Sequence, residues 1–84
     1  MTPTELVALR NHLDLTQTEM AERVGLSLRA YQHIEGGASK VRAIHVAAAE
    51  RAALALAVER GDPMLAPASI RRQALDLARL ITGR

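Results

Sequence analysis

Apolar residues recur every three or four positions along most of the chain, and no stretch alternates apolar and polar residues over a strand length. This pattern predicts an all-α fold. Leu6, Leu9 and Leu13 mark a first helix over about residues 3–13. Thr2-Pro3-Thr4-Glu5 opens it with a capping hydroxyl, a proline suited to the first helical position, and a glutamate placed to return the capping bond. Thr16-Gln17-Thr18-Glu19 repeats that capping pattern. Met20, Ala21 and Val24 form the inner side of a short second helix, and Gly25 ends it with a left-handed turn. Ser27 is placed to cap a third helix, with Ala30, Tyr31 and Ile34 facing inward and Gly36-Gly37 stopping it.

A loop of small and polar residues leads to a long fourth helix over about residues 41–60, ended by Gly61, Asp62 and Pro63. Its apolar positions run nearly all the way round, with alanine dominating one side, so it is expected to be covered on more than one face. Residues 63–67 read as a turn-rich link to a fifth helix over about residues 68–82. There Ile70, Ala74, Leu77 and Ile81 form one stripe and Arg72, Asp76 and Arg79 lie opposite. Residues 1–62 are expected to form the working unit. Residues 63–84 add a C-terminal helix that belongs to the same domain and to a dimer interface built on the apolar stripe.

An 84-residue chain has room for one domain and buries only about 60–65% of the surface its unfolded form exposes. A second copy of the chain is a natural source of further burial. Without cysteine there is neither a disulfide scaffold nor a thiolate metal site. His12, His33 and His45 fall on three predicted helices with no carboxylate at ligand spacing, so no metal site is expected. No nucleophile motif or glycine-rich phosphate loop is present, so the protein is expected to be no enzyme and to need no cofactor or small-molecule ligand. The apolar run in the fourth helix is interrupted by Glu50 and Arg51 and is too short to span a bilayer. The N-terminus lacks the pattern of a signal peptide, so a cytoplasmic location without membrane contact is expected. A single tyrosine cannot make a base-stacking platform, which counts against single-strand binders. The net charge of +2 carries no basic block, so any duplex contact must come from a few placed residues.

Residues 15–37 are the informative stretch. Two short helices joined by a three-residue turn around Gly25 must cross steeply, with Ala21 allowing close approach and Val24, Leu26, Tyr31 and Ile34 locking the crossing from inside. The outer side of the third helix is left with Leu28, Arg29, Gln32 and His33. Three of these are polar side chains suited to base edges in a major groove, and a leucine can contact a thymine methyl.

With Leu9-Arg10, Leu15-Thr16-Gln17, Ala21, Gly25, Ser27, Ile34-Glu35 and Gly37 at their joint spacing, the chain resembles the lambda-repressor/Cro-like helix-turn-helix family over about residues 6–44. The resemblance implies a five-helix lambda-repressor-like domain that binds double-stranded DNA. It implies base reading by Leu28, Arg29, Gln32 and His33, and phosphate contacts by Gln17, Ser27, Lys40 and Arg42. It also implies a structural salt bridge between Arg10 and Glu35. Arg29 is the first choice for a bidentate contact to guanine. Two positions depart from the family: Gly36 stands where many relatives carry asparagine or a basic residue, and Leu28 where several carry glutamine. The pattern of bases read therefore cannot be borrowed. Small regulators of this build include phage Cro-like repressors, restriction–modification controllers, antitoxins and anti-CRISPR-associated repressors, and LSLRAYQHIEGG looks most like the recognition helices of the last group.

Each assignment has a plainer counterpart. The outer face of the third helix can be a solvated polar face, Lys40 and Arg42 solvated loop charges, and His45 a surface or interface residue. The fifth helix can fold back on its own domain. The expected function is a homodimeric autorepressor on a palindromic operator, with half-sites about 34 Å apart. The competing expectation is a protein-interaction module or antitoxin-like partner that uses the surface of helices four and five. Glu19 and Glu22 discriminate between the two, because carboxylates pointing into the groove beside Arg29 would oppose DNA.

Overall fold

Ten residues, Pro3–His12, form the first helix (α1) of a computed structural model that describes residues 1–83. Its start follows from local chemistry. Thr2 Oγ1 accepts the Glu5 N–H at 3.1 Å and Glu5 Oε1 accepts the Thr2 N–H at 3.0 Å, so two N–H groups with no intrahelical partner are satisfied reciprocally. Helix α2, Gln17–Val24, repeats the device with Thr16 and Glu19 and ends at Gly25, whose φ of 77° lies in the left-handed region. Helix α3, Leu28–Glu35, is capped by Ser27 Oγ, which accepts the Ala30 N–H. Helix α4 spans Ala43–Arg60 and α5 spans Ala68–Thr82, with a short 3-10 turn at Pro63–Leu65 between them. No strand occurs among the described residues.

Helix α4 begins at Ala43, two residues later than the apolar pattern predicts, because Val41 is used before the helix and packs against the core. His45, expected to be a surface or interface residue, is half-buried and also closes the first turn: its Nδ1 accepts the Arg42 N–H at 3.0 Å. The buried face of α4 is Ala49, Ala52, Ala53, Leu56 and Ala57. Four alanines on one side let α2 lie close, and a half-buried Leu54 on the other side faces α5. Arg23 of α2 and Glu59 of α4 form an exposed fork at 2.9 and 3.3 Å across this contact.

Residues 63–67 are more than a link. Leu65 and Ala66 enter the same core as Leu13, Met20, Tyr31 and Leu56. Their backbone is tied from two sides: His12 Nε2 donates to the Met64 carbonyl at 2.9 Å, and Arg71 donates to the Ala66 carbonyl at 2.6 Å. Arg60 donates to the Leu13 carbonyl, fixing the end of α4 against the end of α1. Helix α5 leaves this base and extends the molecule to 46 × 23 × 19 Å. None of its residues is fully buried. The predicted stripe on α5 is therefore split. Ile70 packs against the core of its own chain and Ala74 is half-buried beside α4, so both already spend part of their surface within the chain. Leu77 and Ile81 remain 58% and 76% exposed, and Leu80, outside the predicted stripe, is 81% exposed.

Candidate nucleic-acid interface

The geometry of the α2–α3 pair fixes which side of α3 faces out. Tyr31 and Ile34 are buried at 1% and 3% exposure, and one helical rotation places Leu28, Arg29, Gln32 and His33 on the opposite, exposed side. Gly37, at φ 82°, turns the chain after α3, and Ser39 N–H donates to the His33 carbonyl, folding the loop back along the helix. Lys40 and Arg42 thereby line the same open groove of about 460 Å³ as His33, with Ser39 and His45 between them.

Polar side chains behind this face are tightly organised. Arg10 donates from Nε to Glu35 Oε2 at 2.7 Å, from Nη2 to Glu35 Oε1 at 3.1 Å, and from Nη1 to the Leu15 carbonyl at 3.1 Å. Side-chain exposure is 16% for Arg10 and 5% for Glu35, so this is a largely desolvated, bidentate ion pair. Burial opposes the charge on Glu35, but the donors around it, Arg10 foremost, outweigh burial and hold the carboxyl below its ordinary value. Tyr31 is buried in the same region, and its hydroxyl has no hydrogen-bond partner among the described residues. Burial, with the Glu35 charge adding to it, raises its pKa well above the ordinary tyrosine value.

Gln17 extends the pair toward α3. Its Nε2 donates to Glu35 Oε1 at 2.9 Å, and its Oε1 accepts from Gln32 Nε2 at 3.1 Å. Ser27, read as a phosphate contact, spends its hydroxyl oxygen as the α3 cap, which leaves the hydroxyl hydrogen for an anion.

The basic side chains divide by the partners they have. Arg10, Arg23 and Arg72 pair with carboxylates, and Arg60 and Arg71 donate to main-chain carbonyls. Among the described residues Arg29, Lys40, Arg42, Arg51 and Arg79 have neither kind of partner; the first three lie on α3 or in the segment that follows it, Arg51 on α4 and Arg79 on α5. Glu19 and Glu22 lie on the far side of α2 from Gln17, in a groove with Arg23, Glu59 and Arg60 that faces the end of α4. They do not oppose an anion at Arg29. No group of His, Asp and Glu side chains among the described residues is clustered to hold a metal ion, and no helix is long and apolar enough to cross a membrane.

A family model for helix-turn-helix domains matches residues 6–62. No curated protein and no solved structure gives a significant match. The match is to the family at large and does not extend to the anti-CRISPR-associated group. It covers most of the chain, from α1 to the end of α4, including the α2–α3 turn and the outward row of α3. The chain belongs to the lambda-repressor/Cro-like helix-turn-helix family of DNA-binding regulators.

Proposed function

We propose that this protein is a cytoplasmic, non-enzymatic repressor that binds a palindromic operator as a homodimer, setting α3 of each copy into the major groove. The observation that carries the reading is the outward row of Leu28, Arg29, Gln32 and His33, flanked by the unpaired Lys40 and Arg42, on a face from which Glu19 and Glu22 are turned away. Arg29 and Gln32 supply directional donors and acceptors for base edges, and His33 and Leu28 extend the contact. Gln17, Ser27, Lys40 and Arg42 hold phosphates and fix the register of α3. With few cations per copy, affinity depends on two copies acting together. The exposed Leu77, Leu80 and Ile81 of α5 supply a surface for pairing, each worth roughly 1.5–3 kcal/mol when fully buried.

A second reading uses the surface between α4 and α5. Val58, 76% exposed, borders a groove of about 390 Å³ between α4 and α5, which a partner protein could fill while the α3 face stays idle. A gel-shift titration against the DNA upstream of the protein's own gene separates the two. Retarded complexes that survive competitor DNA support the repressor. Their absence at low salt and micromolar protein favours the interaction module.

A further inference from the structure

Arg10 and Glu35 are expected to be a structural pair, yet Glu35 also touches the side of the molecule assigned to bases. We infer that Glu35, acting through Gln17, is a positioning residue for base recognition: it fixes which way round the Gln32 amide presents its donor and acceptor. The inference rests on the DNA-binding reading and deepens it.

The chemistry is directional at every link. A carboxylate only accepts hydrogen bonds, so the Gln17 atom 2.9 Å from Glu35 Oε1 has to be the nitrogen. The Gln17 oxygen is thereby turned toward α3. An amide oxygen also only accepts, so the Gln32 atom 3.1 Å from it has to be Nε2. Gln32 cannot flip without placing two oxygens face to face. Its exposed remainder is one free Nε2 hydrogen and the whole of Oε1, side by side and in a set order. A glutamine with both groups free matches N7 and N6 of adenine in the major groove and no other base as well.

Arg10 anchors the start of the relay. With two bonds to Glu35 and one to the Leu15 carbonyl, it keeps the carboxylate ionised and stationary, so Oε1 stays an acceptor for Gln17. Without the relay, a solvated Gln32 would sample both amide orientations, and only one of them suits adenine. The relay therefore sharpens recognition at a single base pair instead of adding affinity everywhere.

The test selects duplexes from a randomised library with the full-length protein. Affinities of the wild type, Gln17→Met and Gln32→Met are then measured for every single base-pair variant of the selected site. Gln17→Met keeps the length of the side chain and leaves the Arg10–Glu35 pair in place. A lost phosphate contact lowers its affinity on all duplexes. In addition, the relay predicts that Gln32→Met flattens preference at one A·T pair about tenfold, that Gln17→Met flattens it at the same pair by about twofold, as expected when one of two amide orientations is competent, and that the double variant flattens it no further than Gln32→Met. Glu35→Gln, where it folds by circular dichroism, flattens that same pair. If Gln17→Met weakens all duplexes alike and keeps every base preference, or if Gln32→Met relaxes a pair that Gln17→Met leaves intact, the relay is overturned while DNA recognition stands. Failure of the wild type to enrich any duplex overturns both.

Discussion

Arg10 and Glu35, 25 positions apart in the chain, meet in a two-bond fork of 2.7 and 3.1 Å that joins α1 to the last turn of α3. Removing one partner strands a charge in a desolvated setting. Arg10→Met is therefore expected to cost about 3 kcal/mol, near the low end for breaking a buried pair because the arginine keeps some exposure. Replacing both residues, as Arg10→Met with Glu35→Leu, should be less damaging than either change alone. Urea denaturation of the three variants checks this. The exposed Arg23–Glu59 fork is the control, with Arg23→Ala costing far less than Arg10→Met.

Acid should weaken the fold. The carboxyl of Glu35 sits below its ordinary value of 4.5 because its donors, led by Arg10, outweigh burial. A depressed folded-state value stabilises the protein above the unfolded value, and the stabilisation is lost as pH falls through the folded one. Glu5 and Glu19 act in the same direction, lowered first by the backbone N–H groups of Thr2 and Thr16. The thermal midpoint is expected to fall between about pH 5 and pH 3, and Glu35→Gln should remove part of that slope. An unchanged midpoint over the range would contradict it.

Alkali acts through the one tyrosine. Burial, with the Glu35 charge adding to it, raises the Tyr31 pKa above its ordinary 10.0. Its contribution is intact below pH 10 and is lost as pH rises further, because only the unfolded chain ionises readily. As Tyr31 is the sole tyrosine, the tyrosinate absorbance band reports this residue alone. It should appear together with loss of helical circular dichroism. Ionisation near pH 10 with the helices intact would contradict the burial.

Leu77 and Ile81 are exposed on a helix with no fully buried residue. In the homodimer reading, Leu77→Asp with Ile81→Asp should convert a dimer to a monomer in sedimentation at tens of micromolar, with the helical spectrum retained. A wild type that sediments as a monomer at that concentration would remove α5 pairing from the account.

Local chemistry was legible in the chain; long-range bonds were not. Thr2 with Glu5, Thr16 with Glu19, and Ser27 are caps whose partners lie three residues away, so spacing alone locates them. The outward row of α3 follows from Tyr31 and Ile34 turning inward. His45 was missed although it stands three residues after Arg42, because histidine is an uncommon acceptor at that capping position. The bonds of His12, Arg60 and Arg71 to main-chain carbonyls leave no side-chain pattern, and those of His12 and Arg71 tie down the segment whose Leu65 and Ala66 enter the core. The Gln17–Gln32 contact depends on the crossing of α2 and α3, which residue spacing does not determine.

The most direct test of the central claim compares Arg29→Ala and Lys40→Ala with the wild type by fluorescence anisotropy on the selected duplex and on a random one, over a series of salt concentrations. Base reading by α3 predicts that Arg29→Ala loses about 1–3 kcal/mol on the selected duplex and little on the random one, whereas Lys40→Ala weakens both alike and reduces the salt slope by about one. Equal losses on both duplexes for Arg29→Ala would contradict the assignment of α3 as the helix that reads sequence.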